Sequence, residues 1–126
     1  MEKKDLTGKQ ILITDDDYTC YLYIKSVLEI TGANIHWANN GLNAIEFVKS
    51  NSNVDLIFMD LKMPVMGGQE ATEHIQSINK DIPIIIQSCF AREFYTGNPK
   101  RHNVEFLEKP FKPGDVYDVI NKIFDK

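Results

Sequence analysis

Short apolar runs alternate along the chain with segments whose apolar residues recur every three or four positions. Each run ends in polar, glycine or proline residues, which is the pattern of buried strands joined by helices. The runs predict five strands, at residues 10–14, 34–38, 56–59, 82–86 and 104–107. Parallel strands need long crossover connections, and helical segments separate these runs. The pattern therefore predicts an α/β fold, a doubly wound parallel sheet with helices on both faces.

Four of the connecting segments have clear helical spacing. The first is expected over residues 18–31, with Asp17 as a favourable charge at its start and Gly32 as its stop. The third is expected to begin near residues 67–68, and the last has Pro113 in its first turn. The apolar residues that define the four helices are Tyr21, Ile24, Val27 and Leu28; Ala44, Ile45 and Val48; Ala71, Ile75 and Ile78; and Val116, Val119, Ile120 and Ile123.

The segment between the fourth and fifth strands does not fit a full helix. Gly97 and the pair Asn98-Pro99 interrupt it, and both disfavour helix. Only one or two turns fit, near residues 91–96. We therefore expect the fourth helix to be short or irregular, and the conformation of residues 91–103 stays open.

Polar residues stand at the predicted carboxyl ends of four strands: Asp15 and Asp16, Asp60, Ser88 and Lys109. A lone aspartate in such a place is usually a helix cap or turn residue. In a parallel sheet, however, these ends meet at one edge, where open α/β sheets bind their ligands. Three crowded carboxylates would repel one another unless they were protonated or held a cation. The sequence therefore predicts a shared site at this edge.

The residue types at that edge favour phosphoryl chemistry. Oxygen-only ligands suit Mg²⁺, which works beside a substrate phosphate. Lys109 offers a positive charge to a phosphate, and Ser88 offers a hydroxyl donor. An aspartyl carboxylate can act as a nucleophile and form an acyl phosphate, and it needs no general base when ionised. We therefore interpret Asp60 as the nucleophile.

Composition limits the other classes of function. The chain has 126 residues, 43% of them hydrophobic and 25% charged, which suits one soluble domain. We expect a polar lead at residues 1–9 and the domain at residues 10–126. The net charge of −4 disfavours direct nucleic-acid binding. No apolar run suggests a membrane span or a signal peptide, and we expect a cytoplasmic location.

Cysteine and histidine residues show no spacing typical of a metal or redox site. Cys20 and Cys89 lie far apart and are expected to be buried free thiols. His36, His74 and His102 are expected to be surface or packing residues.

Four motifs in this order resemble the receiver domains of two-component response regulators. They are residues 11–17 (ILITDDD), 55–68 (DLIFMDLKMPVMGG), 83–88 (PIIIQS) and 106–111 (FLEKPF). The resemblance extends from Gln10 to Phe124. It implies a flavodoxin-like fold with the strand order 2-1-3-4-5.

The resemblance also implies the roles of the acidic residues. Asp60 would accept a phosphoryl group from a phosphohistidine on a histidine kinase or phosphotransfer domain. Asp16 would bind Mg²⁺, or Mn²⁺, directly, and Asp15 would bind it through water. The backbone carbonyl of Lys62 would complete the protein ligands. The protein would promote its own phosphotransfer and dephosphorylation and would not otherwise be an enzyme.

Switching would depend on other positions of the family pattern. Ser88 and Phe106 occupy the two switch positions, and Lys109 occupies the place of the family's phosphate-binding lysine. The Lys109-Pro110 peptide bond is expected to be cis. The face of helix four, strand five and helix five would contact another receiver or a downstream effector.

Some residues depart from the family pattern or bear on the phosphoryl lifetime. Cys89 follows Ser88 where alanine or glycine is usual, and its larger side chain is expected to narrow access to the site. Lys62 and Phe90 occupy positions that modulate dephosphorylation.

Other interpretations remain open at this point. A phosphatase of the haloacid dehalogenase type also uses a strand-ending aspartate, but Lys62 occupies the place of its second acid. A flavin carrier on the same fold would need a phosphate loop where residues 15–17 are acidic. The chain is either a stand-alone regulator or a receiver from a longer protein. Residues 5–9 and 63–68 favour a hybrid histidine kinase, whose receiver would be the cytoplasmic part of a membrane-bound protein.

Overall fold

Strands and helices alternate along the described part of the chain, as the apolar pattern predicts. The computed structural model describes residues 5–97 and 103–125. Predictions that fall on residues 1–4, 98–102 and 126, including the place of His102, lie outside the described residues. The elements are β1 Gln10–Thr14, α1 Tyr18–Glu29, β2 Asn34–Ala38, α2 Gly41–Ser50, β3 Leu56–Met59, α3 Gly68–Ile78, β4 Ile84–Ser88, α4 Ala91–Phe94, β5 Val104–Glu108 and α5 Pro113–Phe124.

All neighbouring strands pair in parallel, and the order across the sheet is β2-β1-β3-β4-β5. This confirms the α/β class, the doubly wound topology and the order 2-1-3-4-5. β3 and β4 are buried along their whole length because helices cover both faces of the sheet. The carboxyl ends of all five strands consequently lie at one edge.

Successive side chains of each central strand point into two different cores. Ile11 and Ile13 of β1 pack on the face covered by α1 and α5, whereas Leu12 packs on the face covered by α2, α3 and α4. The helices supply the residues predicted from their spacing. Buried examples are Ile24 and Leu28 of α1, Ala44 and Val48 of α2, Ala71 and Ile75 of α3, and Val116 and Ile120 of α5.

Local capping determines where α1 begins and ends. Asp17 is its N-cap, and the carboxylate accepts a hydrogen bond from Thr19 N at 2.9 Å, which is a more specific role than the predicted helix charge. The helix ends at Glu29, two residues before the predicted end. The N–H of Gly32 donates to the carbonyl of Glu29 at 3.2 Å, and Gly32 has a φ of +87°, a backbone conformation that glycine adopts easily.

The predicted bounds of β4, residues 82–86, are wrong by two residues at each end. Pro83 has no N–H to donate to a neighbouring strand, and the strand begins after it, at Ile84. At the other end Gln87 and Ser88 stay in the sheet because they pair with Leu107 and Glu108 of β5. The extension places two polar side chains at the functional edge.

Ile78, the last residue of α3, is 44% exposed although it belongs to the apolar spacing that predicts the helix. The predicted burial of the two cysteines is wrong. Cys89 is a free thiol but is exposed, since it follows the last residue of β4, and Cys20 is only half-buried. The short fourth helix is confirmed, as α4 has four residues.

The segment before β1 contributes to the core. Leu6 is 1% exposed and packs in the same cluster as Ile11, Leu28 and Ile120. Its N–H donates to the carbonyl of Thr31 at 2.8 Å. Part of the segment predicted as a polar lead is therefore packed against the domain.

Among the described residues, none of the helices combines the length and the apolar character needed to cross a membrane.

We predict that Leu6→Ala lowers the free energy of unfolding by about 2–3 kcal/mol, since it removes a buried side chain and leaves a cavity. Urea unfolding followed by circular dichroism measures the change. Leu42→Ala is the matched control, because Leu42 is 43% exposed and lies in the first turn of α2. Equal losses in the two variants would contradict a core role for Leu6.

Candidate functional site

The three predicted carboxylates meet at the carboxyl edge of the sheet. Asp15 and Asp16 follow β1, Asp60 follows β3, and one oxygen from each lies within 4.8 Å of the others. The neighbouring strands hold them there, because Asp60 N donates to the carbonyl of Thr14 at 2.9 Å. Asp15 and Asp60 are buried, whereas Asp16 is exposed.

Gly68 allows the backbone to pack tightly behind Asp60. A Cβ atom at this position would clash with the backbone carbonyl of Asp60. The N–H of Gly68 also donates to the carbonyl of Leu61 at 2.9 Å. The glycine pair after the third strand therefore does more than interrupt the chain, since it lets α3 start directly against the site.

Lys109, which follows β5, reaches both buried carboxylates with its side chain. Its Nζ lies 3.1 Å from Asp15 Oδ2 and 3.8 Å from Asp60 Oδ2. Its backbone N–H donates to the carbonyl of Ser88 at 3.2 Å, which anchors the residue beside the end of β4. The Lys109-Pro110 peptide bond is cis, as predicted.

Burial, hydrogen bonds and neighbouring charges shift the pKa values of Asp15, Asp60 and Lys109 in different directions. Burial raises the pKa of Asp60 above its ordinary value, and the charge of Asp15 adds to this although Lys109 opposes it. Burial would also raise the pKa of Asp15, but hydrogen bonds and the charge of Lys109 outweigh it and lower the pKa. Burial would lower the pKa of Lys109, but the two carboxylates outweigh it and raise the pKa. The cluster therefore favours an ionised Asp15 beside a protonated Lys109.

Two neighbours of Asp15 were not predicted from the sequence. Gln87 Nε2 donates to Asp15 Oδ2 at 3.0 Å, and the indole Nε1 of Trp37 donates to the backbone carbonyl of Asp15 at 2.9 Å. Gln87 has a sequence signal, because it is a polar residue inside an apolar strand. Trp37 has none, since its contact depends on how β2 lies beside β1.

A cavity of about 390 Å³ opens above Asp60. Ser88 and Lys109 line it beside the carboxylate, and a hydrogen bond from Ser88 acts to lower the pKa of Asp60, although burial, the largest influence, raises it. The remaining lining residues are Lys62, Cys89, Phe90 and Phe94. A small anion could therefore approach Asp60 from this side, between two lysines and two aromatic rings.

Three residues predicted to affect access to Asp60 or its dephosphorylation, Cys89, Phe90 and Lys62, line this cavity. Cys89 lies at the cavity, as expected if its side chain narrows the entrance. Phe90 is 62% exposed, with a φ of +55°. The ammonium of Lys62 lies 4.6 Å from the ring centre of Phe94. This position therefore holds a cation where a haloacid dehalogenase phosphatase would need an acid.

Phe106 lies apart from the carboxylates. Its half-buried ring contacts Tyr95 edge to face, with 5.7 Å between ring centres, and the guanidinium of Arg92 lies 4.9 Å from its centre. In the sheet it pairs with Ile86, two residues before Ser88. The switch role of Phe106 stays a prediction, and any coupling to Asp60 would pass along β4 and β5.

The histidines fit the predicted packing and surface roles where they are described. His36 lies 2.8 Å from the amide oxygen of Gln10 and packs against Phe47. His74 is exposed and lies 3.8 Å from Glu70.

The donors at this edge suit a hard divalent cation. Asp15, Asp16 and Asp60 offer only carboxylate oxygens, which Mg²⁺ and Mn²⁺ prefer over softer ligands. Burial is the main cause of the raised pKa of Asp60, and a cation would relieve the smaller contribution from the charge of Asp15. The residues present therefore fit a Mg²⁺ site, and the carbonyl of Lys62 stays a predicted ligand.

Comparisons with known proteins agree with this geometry. A family model described as "Response regulator receiver domain" matches residues 11–121. The chemotaxis protein CheY of Thermotoga maritima is 30% identical over 118 residues, which cover 92% of this chain and 98% of that protein.

Two further comparisons concern a longer protein and a solved structure. The autoinducer 1 sensor kinase/phosphatase LuxN of Vibrio campbellii is 41% identical over 78 residues, which cover 62% of this chain but only 9% of LuxN. The CheX-CheY-BeF3-Mg+2 complex from Borrelia burgdorferi contains a chain that aligns with a TM-score of 0.87 at 24% identity, over 95% of this chain and 92% of that one. At that identity the likeness supports the fold alone.

We predict that Mg²⁺ stabilises the protein, because binding to the folded state alone favours that state. At a free concentration ten times the dissociation constant, the gain is about 1.4 kcal/mol. Thermal unfolding in MgCl2, compared with NaCl of equal ionic strength, measures it. Asp16→Asn should remove most of the gain. Asp81→Asn should retain it, since Asp81 is exposed and precedes β4 at the opposite edge. Equal gains in both variants would contradict the site.

Proposed function

Because the chain belongs to the family of response regulator receiver domains, we propose that Asp60 accepts a phosphoryl group from a phosphohistidine. The donor would be a histidine kinase or a phosphotransfer domain. One observation carries the proposal: Asp60 lies beside two further carboxylates and 3.8 Å from the ammonium of Lys109, under a cavity open to solvent.

The transfer needs little covalent chemistry from the protein. A carboxylate oxygen of Asp60 attacks phosphorus, the new P–O bond forms, and the P–N bond to the donor histidine breaks. The released imidazole nitrogen takes a proton from solvent. An ionised carboxylate needs no base to activate it, so positioning and charge neutralisation are the main contributions.

Lys109 and Ser88 are the residues placed to receive the phosphoryl oxygens. Both line the cavity with Asp60, one as a cation and the other as a hydroxyl donor. Asp15, Asp16 and Asp60 would hold Mg²⁺, which when bound supplies charge neutralisation for the phosphoryl group. We expect no sustained turnover beyond the protein's own phosphotransfer and dephosphorylation.

We predict that acetyl phosphate with Mg²⁺ adds one phosphoryl group to the protein, which intact-mass spectrometry detects. Asp60→Asn should abolish the addition, because the amide is not a nucleophile for phosphorus. Lys109→Ala should slow it by about 10²-fold or more, as for the loss of one group that stabilises a transition state.

Asp55→Asn is the matched control for this experiment. Asp55 precedes β3 at the opposite edge of the sheet, and its Oδ2 accepts a hydrogen bond from Gln10 N at 2.8 Å, which an amide oxygen can also accept. Its labelling should equal that of the unmodified protein. Continued labelling of Asp60→Asn would contradict the assignment of the acceptor.

We further propose that phosphorylation is signalled through Ser88 and Phe106 to the face formed by α4, β5 and α5. A phosphoryl group adds up to two negative charges beside Ser88. Ser88 and Phe106 belong to neighbouring paired strands, and Phe106 contacts Arg92 of α4. Since α4 has only four residues, few contacts need to change for this face to rearrange.

We predict that phosphorylation changes hydrogen exchange in residues 91–97 and 104–108, measured by mass spectrometry. Ser88→Ala should still be phosphorylated but should lose most of this change, because it lacks the hydroxyl that would meet the phosphoryl group. Ser77→Ala is a matched control, since Ser77 is an exposed residue of α3. A full response in phosphorylated Ser88→Ala would contradict the switch role.

The part of LuxN that matches suggests a wider context. LuxN is named a sensor kinase/phosphatase, and the match covers 9% of it. We propose that this chain acts as a receiver module with a hybrid histidine kinase, and that its output is a protein contact.

A further inference from the structure

Gln87 is a buried polar residue in β4, a strand that begins with three isoleucines. It follows three buried isoleucines in β4, and its own side chain is 0% exposed. Burying a primary amide costs free energy unless its donors and acceptor are paired. A buried amide is therefore expected where its hydrogen bonds hold a neighbouring group in place.

The amide of Gln87 joins α1 to the carboxylate cluster. Its Oε1 accepts a hydrogen bond from the thiol of Cys20 at 3.6 Å. Its Nε2 donates to Asp15 Oδ2 at 3.0 Å and lies 3.5 Å from the carbonyl of Thr14. The side chain therefore crosses from β4 to the end of β1.

Gln87 is one of the donors that hold the Asp15 carboxylate, and the thiol of Cys20 contacts the same carboxylate. Asp17 N donates to Oδ1 at 2.8 Å, while Lys109 Nζ shares Oδ2 with Gln87 at 3.1 Å. Two donors occupy Oδ2, so Oδ1 keeps the remaining acceptor capacity. Lys109 also faces Asp60 and would be drawn to a phosphoryl group there. The contacts of Gln87 are instead to Asp15, the carbonyl of Thr14 and the thiol of Cys20.

We propose that Gln87, supported by Cys20, is a positioning residue that fixes the orientation of Asp15 and thereby raises the affinity of the acidic cluster for Mg²⁺. The proposal rests on the proposed function, which requires that Asp15, Asp16 and Asp60 hold this ion. Partners that orient metal ligands commonly change metal affinity when they are replaced.

The test is a titration with Mg²⁺ alone. Isothermal calorimetry measures affinity, and the fluorescence of Trp37, the only tryptophan of the chain, reports the site because its indole bonds to the Asp15 carbonyl. Gln87→Met keeps the length of the side chain and removes its polar atoms. The Mg²⁺ dissociation constant should rise about 10-fold.

Matched variants distinguish a positioning role of Gln87 from a general loss of core packing. Ile85→Val removes a methylene from a buried residue on the same strand and the same face of the sheet, so it should lower the unfolding temperature without changing Mg²⁺ affinity. Cys20→Ser keeps a donor towards Gln87 and should bind Mg²⁺ nearly normally, whereas Cys20→Ala should bind more weakly. Equal weakening by Ile85→Val and Gln87→Met would overturn the proposal.

The outcomes also distinguish this proposal from the proposed function. If the unmodified protein does not bind Mg²⁺, both fail. If it binds Mg²⁺ and Gln87→Met binds equally well, the positioning role alone fails. If Gln87→Met does not fold, Gln87→Leu decides the question, because Cys20 also contacts Asp15 directly and its loss would not isolate the role of Gln87. Unchanged Mg²⁺ affinity in Gln87→Leu overturns the proposal.

Discussion

The repulsion among three carboxylates at one edge of the sheet is the constraint on which the site depends. Two of the three are buried, and the pKa of Asp60 is raised, mainly by burial and in part by the charge of Asp15. Lys109 offsets part of this cost by lying within 4 Å of both. Because Lys109 offsets only part of this cost, a divalent cation would be a favourable ligand, since it adds positive charge beside the carboxylates.

The parallel sheet makes this crowding tolerable. β1 and β3 are anchored by aliphatic side chains on both faces, so their ends cannot move apart to relieve the repulsion. Donors then satisfy the buried oxygens: Asp15 is held by the backbone N–H of Asp17, by Lys109 and by Gln87. The site is closely paired around Asp15 and is open at the exposed Asp16 and above Asp60.

The opposite character is found at α4, on the face proposed to respond to phosphorylation. α4 has four residues, and two exposed phenylalanines lie at its boundaries. Phe106 is held by Tyr95 and Arg92 and has no contact with the carboxylates. A rigid acidic site and a lightly packed helix are joined by the paired strands β4 and β5. This contrast suits a domain that converts a local change of charge into a change of surface.

The sequence by itself determined the α/β class and the acidic site, because buried strands and a parallel sheet leave few arrangements for Asp15, Asp60 and Lys109. It misplaced the bounds of β4 and the burial of Cys89, since both depend on where neighbouring strands stop pairing. Only the tertiary structure decided that Gln87 and Trp37 contact Asp15. Those contacts join residues 72 and 22 positions apart, and packing creates them without any local pattern in the chain.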